Sequence, residues 1–277
     1  MDFDQQLGEL QRRVAQCQEG VGRRKLIIDS LAVESGQSIL DLGCGGGYQV
    51  RSLALAVGSG GRIVGNDPSL KQIEAAREYC SDLDNVEFTQ DSGTDLSFHD
   101  GTFDSVTSTN VLEYIIDVGS AVAEIRRVLK KGGRFCTISV LWDHHRFHGP
   151  DPTLNDEVHQ VFQDHCAHQM LPLELPKILL TNGFSGLGSM PIPILNKTMH
   201  DDAFAFWFSK VISILAINNG MPEDDVALWQ RQLEEADRDG RFGFVSMSVL
   251  TTEVGCLTQP PHHTLWLPLR NRNKIAM

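Results

Sequence analysis

The chain has 277 residues, 41% of them hydrophobic, which is enough to bury the core of one α/β domain carrying an insertion. A formal net charge of −12 argues against a general nucleic-acid or anionic-membrane surface, because such surfaces need clustered Lys and Arg. Six cysteines scattered singly, with no C-x-x-C pair, argue against a disulfide framework and for reduced thiols in a cytoplasmic protein.

Taken in chain order, two helices are predicted near 3–17 and 23–33, so residues 1–37 read as an N-terminal helical cap. From 38 to 140 strand-like and helix-like runs alternate, as in a doubly wound α/β sheet. Strands are expected at 39–41, 62–66, 85–89, 103–108 and 134–140. Helices are expected at 49–57, 70–80 and 120–129, the last stopped by Lys-Lys-Gly-Gly at 130–133. Residues 142–152, rich in His, Asp and Pro, read as a loop. Helical spacing returns at 154–168, 173–180, 201–218 and 223–236, and strand-like patterns at 184–195 and 242–252. The predicted divisions are thus 1–37, a core at 38–142, a remainder of sheet and helical insertions at 143–258, and a tail at 259–277. The first residues lack the basic and apolar regions of a signal peptide, and the apolar run 211–217 is too short to span a bilayer.

The most telling stretch is Ser38-Ile-Leu-Asp-Leu-Gly-Cys-Gly-Gly-Gly47, a short strand running into a glycine turn. Glycines at 43, 45 and 47 let the backbone bend and leave no side chains between it and a ligand. In parallel α/β sheets such turns hold nucleotide-like cofactors. A dinucleotide pattern, G-x-G-x-x-G, requires glycine where this chain has Tyr48. Asp41 would repel a pyrophosphate and attract a cationic ligand. Ligands of these sheets lie beyond the carboxyl ends of the strands, and there the chain places Asp41, Asp67, Asp91 and Asn110. Asp67-Pro68-Ser69 suits a helix start, and a carboxylate there can also accept hydrogen bonds from two ribose hydroxyls. Asp91 and Ser92 can receive an adenine amino group.

These motifs, with Gly65-Asn66-Asp67, Gln90-Asp91, Thr109-Asn110-Val-Leu-Glu-Tyr114 and Arg126-Arg-Val-Leu-Lys-Lys-Gly-Gly-Arg134, resemble class I S-adenosylmethionine (SAM)-dependent methyltransferases over about residues 30–142. The resemblance is greatest to the small-molecule branch with the ubiquinone/menaquinone enzymes. It implies a Rossmann-like, doubly wound, seven-stranded sheet, mostly parallel with an antiparallel last strand, plus helical insertions forming a substrate lid. It also implies SAM as cofactor, held by Asp41, Gly43, Cys44, Gly45, Asp67, Pro68, Asp91, Ser92 and Asn110. Tyr48, Glu113, Tyr114 and Trp142 would then face the substrate. Many relatives carry His where this chain has Tyr114.

Methyl transfer is an in-line displacement that rests chiefly on positioning and on water exclusion. A base is needed only for a nucleophile that arrives protonated. The loop after the fifth strand offers Asp143, His144 and His145 for that role, with His148 beyond them. His144, His148, His159, His165, Cys166 and His168 crowd together in sequence without the paired spacing of zinc ligands, so no metal is expected. The expected partner is a small molecule, acting through an O, N, C or S nucleophile. No nucleic-acid motif, Asn/Asp-Pro-Pro-aromatic or Pro-Cys, is present. Two other readings stay open: a nicotinamide-dependent oxidoreductase, and a non-catalytic protein that kept the fold.

Overall fold

The computed structural model describes residues 5–255; the predicted tail at 259–277 lies outside them. Two helices, α1 (Gln5–Gln16) and α2 (Gln18–Leu31), precede an alternating series. That series runs β1 (Ser38–Leu42), α3 (Tyr48–Val57), β2 (Arg62–Asn66), α4 (Leu70–Tyr79), β3 (Val86–Thr89), β4 (Phe103–Thr109), α5 (Val118–Val128) and β5 (Leu129–Val140). There follow β6 (Arg146–His148), α6 (Pro152–Gln163), α7 (Leu171–Thr181), β7 (Phe184–Asn196), α8 (Phe204–Asn218), α9 (Glu223–Arg238) and β8 (Gly243–Gly255).

Strands β3, β2, β1, β4 and β5 pair in that order, all parallel. β8 runs antiparallel beside β5, and β7 pairs antiparallel with the other edge of β8. The central strands read as near-continuous apolar runs because helices cover both faces. Ile39, Leu40, Ile63, Val64 and Val106 are all fully buried. Separate apolar clusters fill the two faces: Leu40, Val106, Ile125 and Phe135 with α5 and α7 on one, Ile39, Leu53, Ile63 and Ile73 with α3 and α4 on the other.

The expected doubly wound sheet and antiparallel last strand are therefore present, with one strand more than expected. That strand is β6, three residues in the segment read as loop, which pairs with Gly243–Val245 beyond the end of β5. A single 3-10 turn, Trp142–His144, lets the chain leave β5 and return to the same edge of β8. The glycines at 132 and 133 do not stop a helix. α5 ends at Val128, Leu129 already pairs with Phe103, and residues 130–133 form an irregularity before Arg134 pairs with Ser105. A Cβ on Gly133 would stand 2.9 Å from the Asp104 carbonyl, so the bulge needs glycine there. The helix expected to reach 168 stops at Gln163, which leaves His165 beyond its end.

Helices α8 and α9 are inserted between β7 and β8 and share a third apolar cluster with α1, α6 and Trp142. Phe208 is its hub, with ring contacts to Trp142, His145, Phe147, Phe162, Phe204 and Phe244. Phe204 and Phe208 of α8 thus pack in the core, and the same two rings also face a cavity. Gln72 on α4 donates to Gln11 on α1 (3.2 Å), tying the N-terminal cap across the sheet's carboxyl edge. No helix among the described residues is long and apolar enough to cross a membrane.

Candidate active site

The glycine turn is built by its own backbone. The amides of Gly43 and Cys44 both donate to the Asn66 carbonyl (2.7 and 2.8 Å), which pins the turn to the end of β2. Gly43, Gly45 and Gly47 have φ of 71°, 49° and 82°, in the left-handed region where side chains are strained. Their surroundings separate their roles. A Cβ on Gly43 would lie 2.2 Å from Val111, and one on Gly47 3.0 Å from Ala76 of α4, so these two serve close packing. A Cβ on Gly45 would meet nothing within 4 Å: it would project into open space over the turn.

That space belongs to a cavity of about 980 Å³, which runs from the glycine turn to the helical lid. At the turn it is lined by Asp41, Gly43, Cys44, Gly45, Asp67, Pro68, Ser92 and Asn110. Asp67, just past β2, accepts from the Gly45 amide (3.0 Å) on Oδ2 and from the Ser69 amide (2.9 Å) on Oδ1. Ser69 in turn caps α4, accepting from the Gln72 amide. Burial raises the Asp67 carboxyl, and the two amides pull against that rise. Asp41 is only 2% exposed, and its Oδ2 is buried with no hydrogen-bond partner. Burial, and then the charge of Asp67, push its carboxyl well above the usual carboxylate range. Asn110 holds φ at 54°, an uncommon conformation for a side-chain-bearing residue; its amide donates to the Ile138 carbonyl (2.8 Å), and its buried Oδ1 has no partner. The turn therefore presents two carboxylates, one of them unpartnered, to open space above a bare glycine backbone. This fits a ligand that brings a cation and hydroxyl donors, and it disfavours phosphate.

Asp91 does not line the cavity. Its Oδ2 accepts from the Ser97 hydroxyl (2.7 Å), and only its neighbours Ser92, Gly93 and Thr94 face the open space.

The other end of the cavity is aromatic: Tyr114, Trp142, Phe162, Phe204 and Phe208, with Val211 and Leu215. Tyr114 and Trp142 line it as the sequence suggests. Tyr48 lies on the turn side, where Gln16 donates to its hydroxyl and its ring packs on Tyr79. Glu113 is fully buried behind the wall, where Ser139 Oγ (3.2 Å) and the Val140 amide (3.4 Å) donate to its carboxyl. Burial pushes that carboxyl up to about 7, despite these bonds.

None of the three residues expected to handle a proton, Asp143, His144 and His145, lines the cavity. Asp143 accepts from Gln163 Nε2 (2.9 Å). His145 is buried, donates from Nδ1 to the Trp142 carbonyl (2.5 Å), and packs against the tilted ring of His159. Burial, then His159, lowers it to about 3, so it packs as a neutral ring. The histidine that does reach the cavity is His165. Its Nδ1 donates to the Phe162 carbonyl (2.7 Å), which leaves Nε2 as the bare acceptor, buried and unpartnered. Burial lowers this ring to about 4. Sequence reasoning placed His165 inside a helix at 154–168, and the helix end at Gln163 that turns it toward the cavity carries no signal that the spacing reveals. Among the described residues no group of three or more His, Cys, Asp or Glu converges as metal ligands do.

Residues 40–137 match a sequence family described as a methyltransferase domain. Over 110 residues the chain is 36% identical to a demethylmenaquinone methyltransferase of Staphylococcus aureus, covering 40% of this chain and 46% of that protein. The chain spans about half the length of the curated relatives it matches. Among solved structures it resembles the YcgJ protein of Bacillus subtilis, with a TM-score of 0.61 and 21% identity, over 86% of this chain and 99% of the other. It also resembles geranyl diphosphate C-methyltransferase of Streptomyces coelicolor, solved with S-adenosyl-L-homocysteine, with a TM-score of 0.54 and 17% identity, over 86% and 76% of the two chains. At these identities the structural likeness speaks for the fold.

Proposed function

We propose that this chain, whose residues 40–137 match a methyltransferase-domain family, moves a methyl group from SAM to a small, largely apolar acceptor held beneath α1, α6 and α8. The observation that carries this reading is the single cavity joining an acid-rimmed glycine turn to an aromatic chamber. Asp41, Gly45, Asp67, Ser92 and Asn110 would hold the cofactor. Bound there, SAM supplies an electrophilic methyl group, and it brings the positive charge that the unpartnered Asp41 carboxylate lacks.

The protein's own contribution is mainly placement. Trp142, Phe162 and Phe208 wall the chamber and keep water out, and fixing an acceptor against the donor is worth roughly 7–11 kcal/mol at best. Where the acceptor atom carries a proton, His165 Nε2 is the acceptor for it: neutral, unpartnered and on a residue that lines the cavity. His144 and His145 are set aside for that role.

The acceptor is a small molecule and not a nucleic acid, since the cavity is roofed by helices and the chain carries a charge of −12. Single cysteines held as thiols suit a reducing cytoplasm. Calorimetric titration tests the cofactor assignment. Stoichiometric binding of S-adenosylhomocysteine and of SAM, with no heat from NAD(H), is expected; binding of NAD(H) alone would replace this reading with an oxidoreductase.

A further inference from the structure

The lid side of the cavity carries a charge that the cofactor does not explain. Arg23, on α2, lines the cavity and is 7% exposed. Its Nε and Nη2 are buried with no hydrogen-bond partner, and it forms no ion pair among the described residues. Its guanidinium lies over the Phe204 ring, 4.9 Å from the centroid, and so is directed toward the aromatic chamber. The nearby acids Glu19 and Glu113 favour its charge from a distance but do not bond it. Glu19, one turn earlier, accepts on Oε1 from Asn196 Nδ2 (2.6 Å) and leaves Oε2 buried without a hydrogen-bond partner, and Glu113 is engaged with Ser139 and Val140. A buried guanidinium stays charged, and leaving it unpaired is costly.

The rest of the cavity shows the same polarity. Asp41 and Asp67 sit at the turn, while Arg12, Arg23 and Arg24 line the face made by α1 and α2. Arg24 spends Nη1 on the Ala15 carbonyl, which leaves Arg23 as the buried fork without an acceptor. An anion entering this space is repelled from the acid end and drawn to Arg23, in surroundings dry enough to make the pairing strong.

We propose that the methyl acceptor is an amphipathic organic anion: one carboxylate-type oxyanion pairs with the Arg23 fork, and the apolar body lies among Phe204, Phe208, Val211 and Leu215. This rests on the methyltransferase reading. A single guanidinium fork suits one compact oxyanion, whose two oxygens it can bond in parallel. Arg23 binds and orients this group; the reacting atom lies elsewhere on the molecule.

The test compares charged and neutral molecules of one shape. Binding of 4-phenylbutyrate and decanoate, and of their primary amides, is measured by calorimetry on the full chain, with and without saturating S-adenosylhomocysteine. Each acid should bind at least 10-fold more tightly than its amide. In Arg23→Met, which keeps the bulk and removes the charge, that preference should shrink to within about 3-fold, and in Arg23→Lys it should be partly kept. S-adenosylhomocysteine affinity should be unchanged in both variants, which also reports that they fold. Equal binding of acid and amide, a preference that survives in Arg23→Met, or no binding of either series would overturn the proposal. Failure of the wild type to bind S-adenosylhomocysteine would instead count against the methyltransferase reading, and the acid–amide comparison would still stand.

Discussion

The Gly45 amide donates to Asp67 Oδ2 across 3.0 Å, so the turn after β1 and the acid after β2 form one unit. The glycine holds φ at 49° with open space where a Cβ would be, so a side chain there enters the ligand's volume and strains the backbone. Gly45→Ala should therefore fold, at a cost of about 1–2 kcal/mol, and should weaken S-adenosylhomocysteine binding at least 10-fold in calorimetry. Gly43→Ala, whose Cβ would clash with Val111 at 2.2 Å, should lose stability before affinity can be read. Equal behaviour of the two variants in thermal melts would contradict this division of roles.

Asp41 couples cofactor binding to pH. Burial and Asp67 raise its carboxyl in the free protein, and a bound cation favours the ionised form. SAM affinity should rise with pH as Asp41 loses its proton, then level off. Asp41→Asn should flatten that profile and weaken binding at pH 8 by about 1.5–3 kcal/mol, the range for a hydrogen bond to a charged group. Calorimetry from pH 5 to pH 8 reads both; an unchanged profile in the variant would remove Asp41 from the cofactor site.

Glu113 should leave its mark on stability. Its carboxyl titrates near 7 when folded, above the ordinary 4.5 of the unfolded chain, so the folded state binds the proton more tightly. The resulting stability is complete below about pH 4.5 and is lost progressively as pH rises through 7. Fully expressed it is on the order of 3 kcal/mol. Denaturant melts at pH 5 and pH 8 should show wild type losing more stability than Glu113→Gln. A variant with the same pH slope as wild type would mean that another group sets it.

His165 should matter to turnover and not to cofactor binding. Its ring titrates near 4, so Nε2 is already free to take a proton at pH 6, and the rate should not fall between pH 8 and pH 6 on its account. For an acceptor bearing a proton at the reacting atom, His165→Phe should slow single-turnover transfer about 100-fold, with SAM affinity unchanged. His144→Ala should have little effect, since His144 does not line the cavity. A slow His144→Ala beside a normal His165→Phe would reverse the assignment.

The parts of this molecule legible in its sequence are those encoded by contiguous residues. The strand–turn–helix from Ser38 to Val57 and the Asp67-Pro68-Ser69 helix start owe their shape to local backbone chemistry, and both stand where expected. Asp91 shows the limit of such reasoning. It lies just past the carboxyl end of its strand, two residues beyond Thr89, but a serine six residues on claims its carboxylate. Residues 142–145 began at the correct edge of the sheet, yet the 3-10 turn at Trp142 buries His145 behind the wall. The chamber itself was not legible, because Arg23, the Phe162–His165 segment and Phe208 come from three distant parts of the chain that only the packing of the lid brings together. The helix at 201–218 was legible from its spacing; which of its rings face the cavity depends on how that helix lies against α1 and α6.

The measurement closest to the central claim is transfer itself. The purified chain is incubated with methyl-labelled SAM and an organic-solvent extract of small metabolites, and label is followed into extractable products. The account predicts labelled product in wild type, with S-adenosylhomocysteine formed in equal amount, and strongly reduced label in Gly45→Ala. A protein that binds S-adenosylhomocysteine at this turn but labels nothing across such extracts would contradict it.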